Sequence, residues 1–158
     1  MITIGGLISG CLNEDQSWGE KGELSLSIQL SEDTVGLNDT FHVDYEIRNV
    51  GNTSVRVLFP WWFVPPNLII IRDDNGTIIN CEVEWEPPPD PTDEDLVTLD
   101  PGVKISREIE ITKDLFGFKA NVTYGIRGKY VIRDYSTIKK PYWKGEIYSD
   151  LKYLSVIE

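Results

Sequence analysis

The residues that could support catalysis in this sequence are few. The chain contains one histidine, His42, so neither a zinc site with three histidines nor an iron site with two can be built. Asp39 and Asp44 are close to His42 in the sequence, but no serine is identified as the nucleophile that a catalytic triad requires. We therefore expect a protein that is not an enzyme and uses no cofactor. A carbohydrate-active enzyme is the third alternative, and it ranks last because the sequence alone does not place a pair of catalytic carboxylates.

Carboxylates are concentrated between residues 82 and 100, where eight acidic side chains occur without a basic one. Such a segment could bind Ca²⁺, which takes about six to eight oxygen ligands, and Asp90, Asp93 and Asp95 are weak candidates. The spacing matches no EF-hand loop and is more typical of a solvated acidic loop that aids solubility. We therefore predict no metal site beyond these weak candidates.

The two cysteines have different predicted roles. Residues 8–11 read Ile-Ser-Gly-Cys and follow an apolar run, which resembles a lipobox in which Cys11 is acylated. The resemblance implies that residues 1–22 are a signal remnant and a polar tether. Cys81 alternates with Ile79 and Val83, so we predict that it is a small buried hydrophobe without a disulfide partner.

Glycosylation sequons point weakly towards the same location. The Asn-x-Ser/Thr tripeptides, each at a predicted turn or loop edge, begin at Asn38, Asn52, Asn75 and Asn121. Together with the lipobox they predict an extracytoplasmic protein that is anchored to the membrane at the cell surface by lipid. No run approaches the roughly 18 apolar residues of a spanning helix, so we expect a tethered domain rather than an embedded one.

Aromatic and basic side chains near turns are the candidate binding residues. Trp61 and Trp62 lie among prolines, and Lys140, Tyr142 and Trp143 lie in a second turn-rich segment. Exposed tryptophans of this kind stack on sugar rings or anchor protein contacts, whereas buried ones close the ends of a core. The partner is predicted to be an unknown protein or glycan, and both interpretations of the aromatic residues stay open.

Charge is divided unevenly along the chain. The net charge of −11 argues against a nucleic-acid partner, which needs a basic face, and we expect none. Residues 1–118 hold 22 acidic and 7 basic side chains, a net of −15, whereas residues 119–158 hold 4 and 8, a net of +4. We expect the basic residues of this C-terminal part to lie on one basic face of the domain, or on a sheet edge that they protect against strand addition. These residues are Arg127, Lys129, Arg133, Lys139, Lys140, Lys144 and Lys152.

The elements that must position these residues are strands. Hydrophobic residues alternate with a period of two from residue 23 onwards, interrupted about every ten residues by Gly, Pro, Asn or Asp. Asp74-Asn75-Gly76 predicts a tight hairpin. The predicted strands include residues 24–30, 41–47, 77–85, 128–135 and 147–157. This pattern is typical of an all-β fold, an Ig-like antiparallel β-sandwich of roughly seven to nine strands, in one domain over residues 23–158.

Several stretches resemble prokaryotic surface domains. Residues 45–57 form a strand, an Asn-Val-Gly turn and a second strand, and they resemble surface Ig-like modules that include the CARDB adhesion type. The order of residues 69–76, 97–102 and 128–132 is similar to the BsuPI-type proteinase-inhibitor family. Tyr130 resembles the tyrosine of a tyrosine corner. The resemblance implies an Ig-like fold.

Two functions are expected from these features. The first is a non-catalytic, lipid-anchored Ig-like module that binds a protein or glycan at the cell surface. The alternative is a protease inhibitor of BsuPI or chagasin type that acts through loops 60–66 and 139–143, since Lys-Pro-Tyr-Trp at 140–143 resembles a loop of chagasin-type inhibitors. Other loop motifs of both inhibitor families are missing from the sequence, so the fold is better supported than inhibition.

Overall fold

The computed structural model describes residues 22–60 and 63–158. Cys11, Trp61 and Trp62 lie outside the described residues, so the lipidation of Cys11 and the binding role of both tryptophans stay predictions. The described part of the chain holds ten strands and two short helices, α1 (Pro65–Leu68) and α2 (Lys113–Phe116). The strands are β1 (Leu24–Leu30), β2 (Thr34–Gly36), β3 (Phe41–Asn49), β4 (Val55–Leu58), β5 (Ile69–Arg72), β6 (Leu96–Leu99), β7 (Lys104–Ile111), β8 (Val122–Ile132), β9 (Gly145–Tyr148) and β10 (Lys152–Ile157).

Two sheets are built mostly by antiparallel pairing. The first sheet has the order β1-β3-β7, and the second has the order β2-β10-β8-β5 with β9 also paired to β8. β2 joins β10 in parallel, and β4 pairs with β6 in a separate two-stranded ladder. The prediction of an all-β fold with antiparallel sheets is confirmed. None of the helices in the described ranges is long and apolar enough to cross a membrane.

Alternate residues of the strands form the core. Along β3 the side chains of Phe41, Val43, Tyr45 and Ile47 are buried, and the same alternation buries one face of β8. Burying a large apolar side chain contributes about 1.5–3 kcal/mol, so this alternation decides which face of each strand points inward. The predicted row over residues 41–47 is therefore confirmed.

Buried tyrosines connect elements across the core. The Tyr45 hydroxyl donates to Lys129 O at 2.7 Å and so links the first sheet to β8. The Tyr130 hydroxyl donates to Leu58 O in β4 at 2.5 Å. Burial raises the pKa of Tyr45 and of Tyr130, which keeps both hydroxyls neutral donors.

The tyrosine corner is made by a different residue from the predicted one. Tyr124, near the start of β8, accepts a hydrogen bond from the Lys119 N–H at 2.8 Å, five residues upstream. Tyr130 instead reaches Leu58, which is 72 residues away in sequence. The assignment to Tyr130 is wrong because β8 begins at Val122, so Tyr130 lies in the second half of the strand.

The hairpin predicted at residues 74–76 is present, but the strand predicted after it is not. The Asp73 N–H donates to Thr77 O at 2.9 Å, and Gly76 adopts a φ of 80°, which glycine allows without strain. Ile78 then pairs with Arg72 as an isolated bridge, and residues 79–91 form no strand.

The departure of the chain after Ile78 has two physical causes. The Glu82 N–H donates to Leu115 O at 2.8 Å, which draws the chain towards α2, and the prolines at 87–89 lack the N–H that a ladder needs. Cys81 is consequently only half-buried against the core, and its thiol is free. The predicted full burial of Cys81 is not reached.

Candidate functional site

Two of the predicted binding residues, Tyr142 and Trp143, are buried. Tyr142 is 2% exposed and Trp143 is 8% exposed. The Tyr142 hydroxyl donates to Arg133 O at 3.0 Å and accepts from the Tyr135 N–H at 2.7 Å, while Trp143 stacks on Tyr130 with ring centroids 5.6 Å apart. Burial of both side chains against the core does not favour their predicted binding role, which stays a prediction.

Lys140, the other described candidate in this segment, is exposed and its backbone is held by Asp93. The N–H groups of Lys139 and Lys140 donate to Asp93 Oδ1 at 2.7 and 2.9 Å. These bonds, the one from Lys140 above all, lower the pKa of Asp93. The carboxylate therefore fixes residues 139–140 against the 3₁₀ turn at Asp93–Asp95.

The weak calcium candidates have different structural roles. Asp93 holds the backbone at residues 139–140, and Asp95 Oδ2 accepts from the Thr92 N–H at 2.7 Å, which caps the 3₁₀ turn. Asp90 is exposed. Within residues 22–60 and 63–158, no group of three or more His, Cys, Asp or Glu side chains could hold a metal ion.

The loop predicted at residues 60–66 is fastened to β7 on both sides of the two undescribed residues. Arg107 Nη1 donates to Pro60 O at 2.8 Å and also to Phe63 O. Burial lowers the pKa of Arg107, but its guanidinium stays the donor of both bonds. The backbone at Pro60 and Phe63 is thus positioned by one side chain of the first sheet.

The four sequon asparagines are exposed and lie at turns, as predicted. Lys113 Nζ donates to Asn38 Oδ1 at 2.7 Å, and Asn121, which has a φ of 61°, donates from Nδ2 to Glu158 Oε1 at 3.3 Å. Asn52 and Asn75 lie in the turns before β4 and after β5. Their glycosylation stays a prediction.

His42 lies on the outer face of the first sheet, among carboxylates of β7. Its Nε2 is 3.6 Å from Glu110 Oε2 and 3.9 Å from Glu108 Oε1. The predicted outward orientation of His42 is confirmed, and its surroundings form a charged surface.

A groove lies on the outer face of the second sheet. The sequence patterns did not predict that the residues lining it would lie together. Its floor is Gly125 in β8, and the register partners of Gly125 are Arg72 in β5 and Tyr153 in β10. A Cβ atom at position 125 would lie 3.2 Å from Leu151 Cδ1. The missing side chain leaves a trough between the flanking strands, and a glycine at such a position lets a ligand approach the backbone closely.

A one-residue insertion separates β9 from β10. Lys129 pairs with Tyr148, whereas Ile126 pairs with Lys152. Three steps along β8 thus correspond to four steps along its partner, which is the definition of a β-bulge. The single strand predicted over residues 147–157 is therefore two strands in the structure.

The bulge residues shape the groove. The Ser149 N–H donates to Gly128 O at 3.0 Å, and Ser149 Oγ accepts from the Gly128 N–H at 2.8 Å. These two bonds hold Ser149 inward, and Leu151 lies over Gly125 on the outer face. The bulge therefore supplies one apolar wall of the groove.

The groove consists of two adjoining depressions of about 400 Å³ and about 350 Å³, which share Arg72, Gly125 and Leu151. Two tyrosines stand beside them, Tyr153 with 63% and Tyr148 with 46% of its surface exposed. Each volume lies near the lower end of the roughly 300–1,000 Å³ that small-ligand sites occupy. The space is sufficient for an elongated ligand that lies across both depressions.

Two guanidinium groups line the groove. Arg72 Nη1 donates to Gly76 O at 2.9 Å, which holds Arg72 against the hairpin turn. The Arg127 side chain is exposed, and its guanidinium makes no hydrogen bond or ion pair with any other residue that the structure describes. Asp73 and Asp74 line the turn end of the groove. The middle of the groove is thus basic, and its turn end is acidic.

The basic residues of the last strands do not form one face. Arg127 and Lys129 occupy outward positions of β8, whereas Lys144 Nζ pairs with Asp134 Oδ1 at 3.3 Å elsewhere. Lys152 lines a separate depression at the first sheet. The single basic face expected from the seven residues is wrong, because the bulge and the 133–144 segment direct them to different surfaces.

No family model and no curated protein matches the chain. Among solved structures, the chain is similar to a β-glucosidase, EmGH1, from Erythrobacter marinus, with 14% identity and a TM-score of 0.45 over 86% of this chain and 16% of that one. A β-glucosidase from Listeria innocua in complex with gluconolactone gives 12% identity and a TM-score of 0.43 over 87% and 16%. The chain spans about one sixth of the length of these enzymes. Structural similarity at this level supports no conclusion about the fold family or the function of the chain.

Proposed function

We propose that the protein is a non-catalytic module that binds a protein or glycan in the groove of the second sheet. The observation that carries this proposal is the Gly125 floor between Arg72, Leu151 and Tyr153. Tyrosine and arginine dominate binding hot spots, because each combines a large contact area with hydrogen-bond donors. A glycine floor lets a ligand reach these side chains from above.

The side chains of the groove suit contact better than proton transfer. Asp73 Oδ1 already accepts two backbone N–H groups of the hairpin turn, at 3.0 and 2.8 Å. At the opposite end, the Tyr148 hydroxyl donates to Glu146 Oε2 at 3.3 Å. Partial removal from water and the Glu146 carboxylate raise the pKa of Tyr148, so its hydroxyl is a neutral donor.

The proposal includes a location outside the cytoplasm, with a lipid on Cys11 as the membrane anchor. Its support is the lipobox-like sequence before Cys11 and the exposure of all four sequon asparagines. A protease inhibitor acting through loops 60–66 and 139–143 is the alternative, and it has less support because Tyr142 and Trp143 are buried.

The groove is tested by screening the full chain against immobilised oligosaccharides and cell-surface proteins. Tyr153→Ala removes an exposed aromatic ring of the groove, and Trp85→Ala removes an exposed aromatic ring outside it. We expect a ligand that wild type and Trp85→Ala bind equally and that Tyr153→Ala binds about tenfold more weakly. If both variants bind every ligand alike, or if a bound ligand is cleaved, the proposal is wrong.

A further inference from the structure

We infer that the ligand of the groove is an acidic polysaccharide, a chain of sugars that carries carboxylates. This inference rests on the proposed function and specifies the class of ligand. It is drawn from the charge of the groove walls, from the pairing of its floor and from the spacing of its tyrosines.

Charge indicates an anionic ligand. The whole chain has a net charge of −11, yet the middle of the groove presents the guanidinium groups of Arg72 and Arg127. The Arg127 guanidinium forms no ion pair or hydrogen bond with a residue of the described ranges, so its five N–H donors face solvent. A guanidinium binds a carboxylate with two parallel hydrogen bonds, which an uncharged sugar cannot match.

The pairing of the floor distinguishes a sugar chain from a peptide. β8 pairs with β10 over residues 122–126 and with β5 over residues 125–128, so its backbone groups are already in ladders. An extended peptide gains its main-chain hydrogen bonds at a free sheet edge, and over a paired face its amides would lose water without replacement. A sugar chain needs only side-chain hydrogen bonds and ring contacts, which the groove offers.

The tyrosines are placed for a linear ligand. Tyr153 lies opposite Gly125, and Tyr148 lies opposite Lys129, four residues further along β8. At a rise of about 3.3 Å per residue, these register positions are about 13 Å apart along the strand. Amphipathic aromatic rings at both ends suit a ligand of several linked rings, with Arg127 between them to bind a carboxylate.

The inference is tested by calorimetric titration of the full chain with a defined oligogalacturonate, and with a maltooligosaccharide of equal length as the uncharged probe. Arg127→Gln removes the unpartnered one of the two guanidinium groups in the groove, and Arg133→Gln removes an exposed arginine outside the groove. We expect oligogalacturonate to bind at least about tenfold more tightly than the uncharged probe. Arg127→Gln should lose about tenfold in affinity, Arg133→Gln should change affinity less than about twofold, and added salt should weaken binding.

The outcomes separate this inference from the proposed function. Binding of the uncharged probe that depends on Tyr153 but not on Arg127 would overturn the acidic ligand and keep the groove as the binding site. An acidic protein that binds through Arg127, with no binding of oligogalacturonate at millimolar concentration, would do the same. Binding of either sugar that is unchanged in both Tyr153→Ala and Arg127→Gln would overturn both proposals. Unaltered melting temperatures of the variants exclude misfolding as the cause of any loss.

Discussion

At the residue scale, two glycines of β8 have opposite roles three positions apart. Gly128 faces the core, where a Cβ atom would lie 2.7 Å from Ile28 Cγ2 of the first sheet. Gly125 faces outward, where a Cβ atom would meet only the exposed side chain of Leu151, at 3.2 Å. The inner glycine permits the two sheets to approach each other, and the outer one opens the groove.

We predict that Gly128→Ala lowers the free energy of unfolding by about 1–3 kcal/mol, because the new methyl group forces buried side chains of β1 to move. Gly125→Ala is the matched control in the same strand, and we expect it to change this free energy by no more than about 0.5 kcal/mol. Urea unfolding followed by tryptophan fluorescence measures both. Equal stability of the two variants would contradict the packing argument.

At the scale of elements, the segment at residues 139–143 is held in place rather than offered to a partner. Asp93 ties its backbone to the 3₁₀ turn, and the Trp143 N–H donates to Arg56 O at 2.8 Å. Arg56 Nη1 in turn donates to Pro141 O at 2.9 Å. Because β4 carries Arg56, the segment is fastened to the ladder of β4 and β6 and to the turn that precedes β6.

We predict that the Asp93 contact stabilises the protein only above acidic pH. The hydrogen bonds from Lys140 and Lys139 hold the pKa of Asp93 below its unfolded value of about 3.9, so the contribution is complete above that pH and is lost as pH falls through the folded pKa. Asp93→Asn should therefore melt at a lower temperature than wild type at pH 7, and the gap should close towards about pH 2. Asp90→Asn, an exposed control, should match wild type throughout. A gap that stays constant with pH would contradict the role of the charge.

We also predict that the protein does not inhibit proteases through residues 139–143. A blocking loop must insert side chains into an active-site cleft, and Tyr142 and Trp143 are committed to the core. Titration of papain and trypsin with the full chain at about 100-fold molar excess should leave both activities unchanged. Inhibition that is lost in Lys140→Ala would favour the alternative function instead.

Sequence patterns predicted the parts of the fold that depend on neighbouring residues. The period of two in the sequence predicted the buried row of β3. The turn predicted after β3 is stabilised by Asn49, because its buried side-chain amide donates to Thr53 O and Leu99 O, both at 2.8 Å. The groove could not be predicted, since it depends on which strands flank Gly125 and on the register shift at Ser149. A glycine among outward residues of a strand pattern was the available signal.

At the scale of the whole molecule, the charge of the groove differs from the charge of the sequence segments that form it. Residues 1–118 hold a net charge of −15 and residues 119–158 a net of +4. Of the basic residues in this C-terminal part, Arg127 lines the groove, whereas Arg72 comes from the acidic part of the sequence. Long-range pairing of β5 with β8 therefore creates a basic surface that no single segment of the sequence contains.

We predict that attachment depends on Cys11 alone. Expressed from its native gene, the protein should enter the membrane fraction with a mass increased by acyl chains. Cys11→Ser should abolish both properties, because the serine hydroxyl cannot replace the thiol that accepts the lipid. Cys81→Ser is the matched control: its half-buried thiol packs against the core, so the mass increase and the membrane partition should persist. If Cys11→Ser keeps the wild-type mass and stays in the membrane fraction, the prediction of a lipid anchor is wrong. Binding of the groove to a cell-surface molecule would then be the next explanation to test for the membrane association.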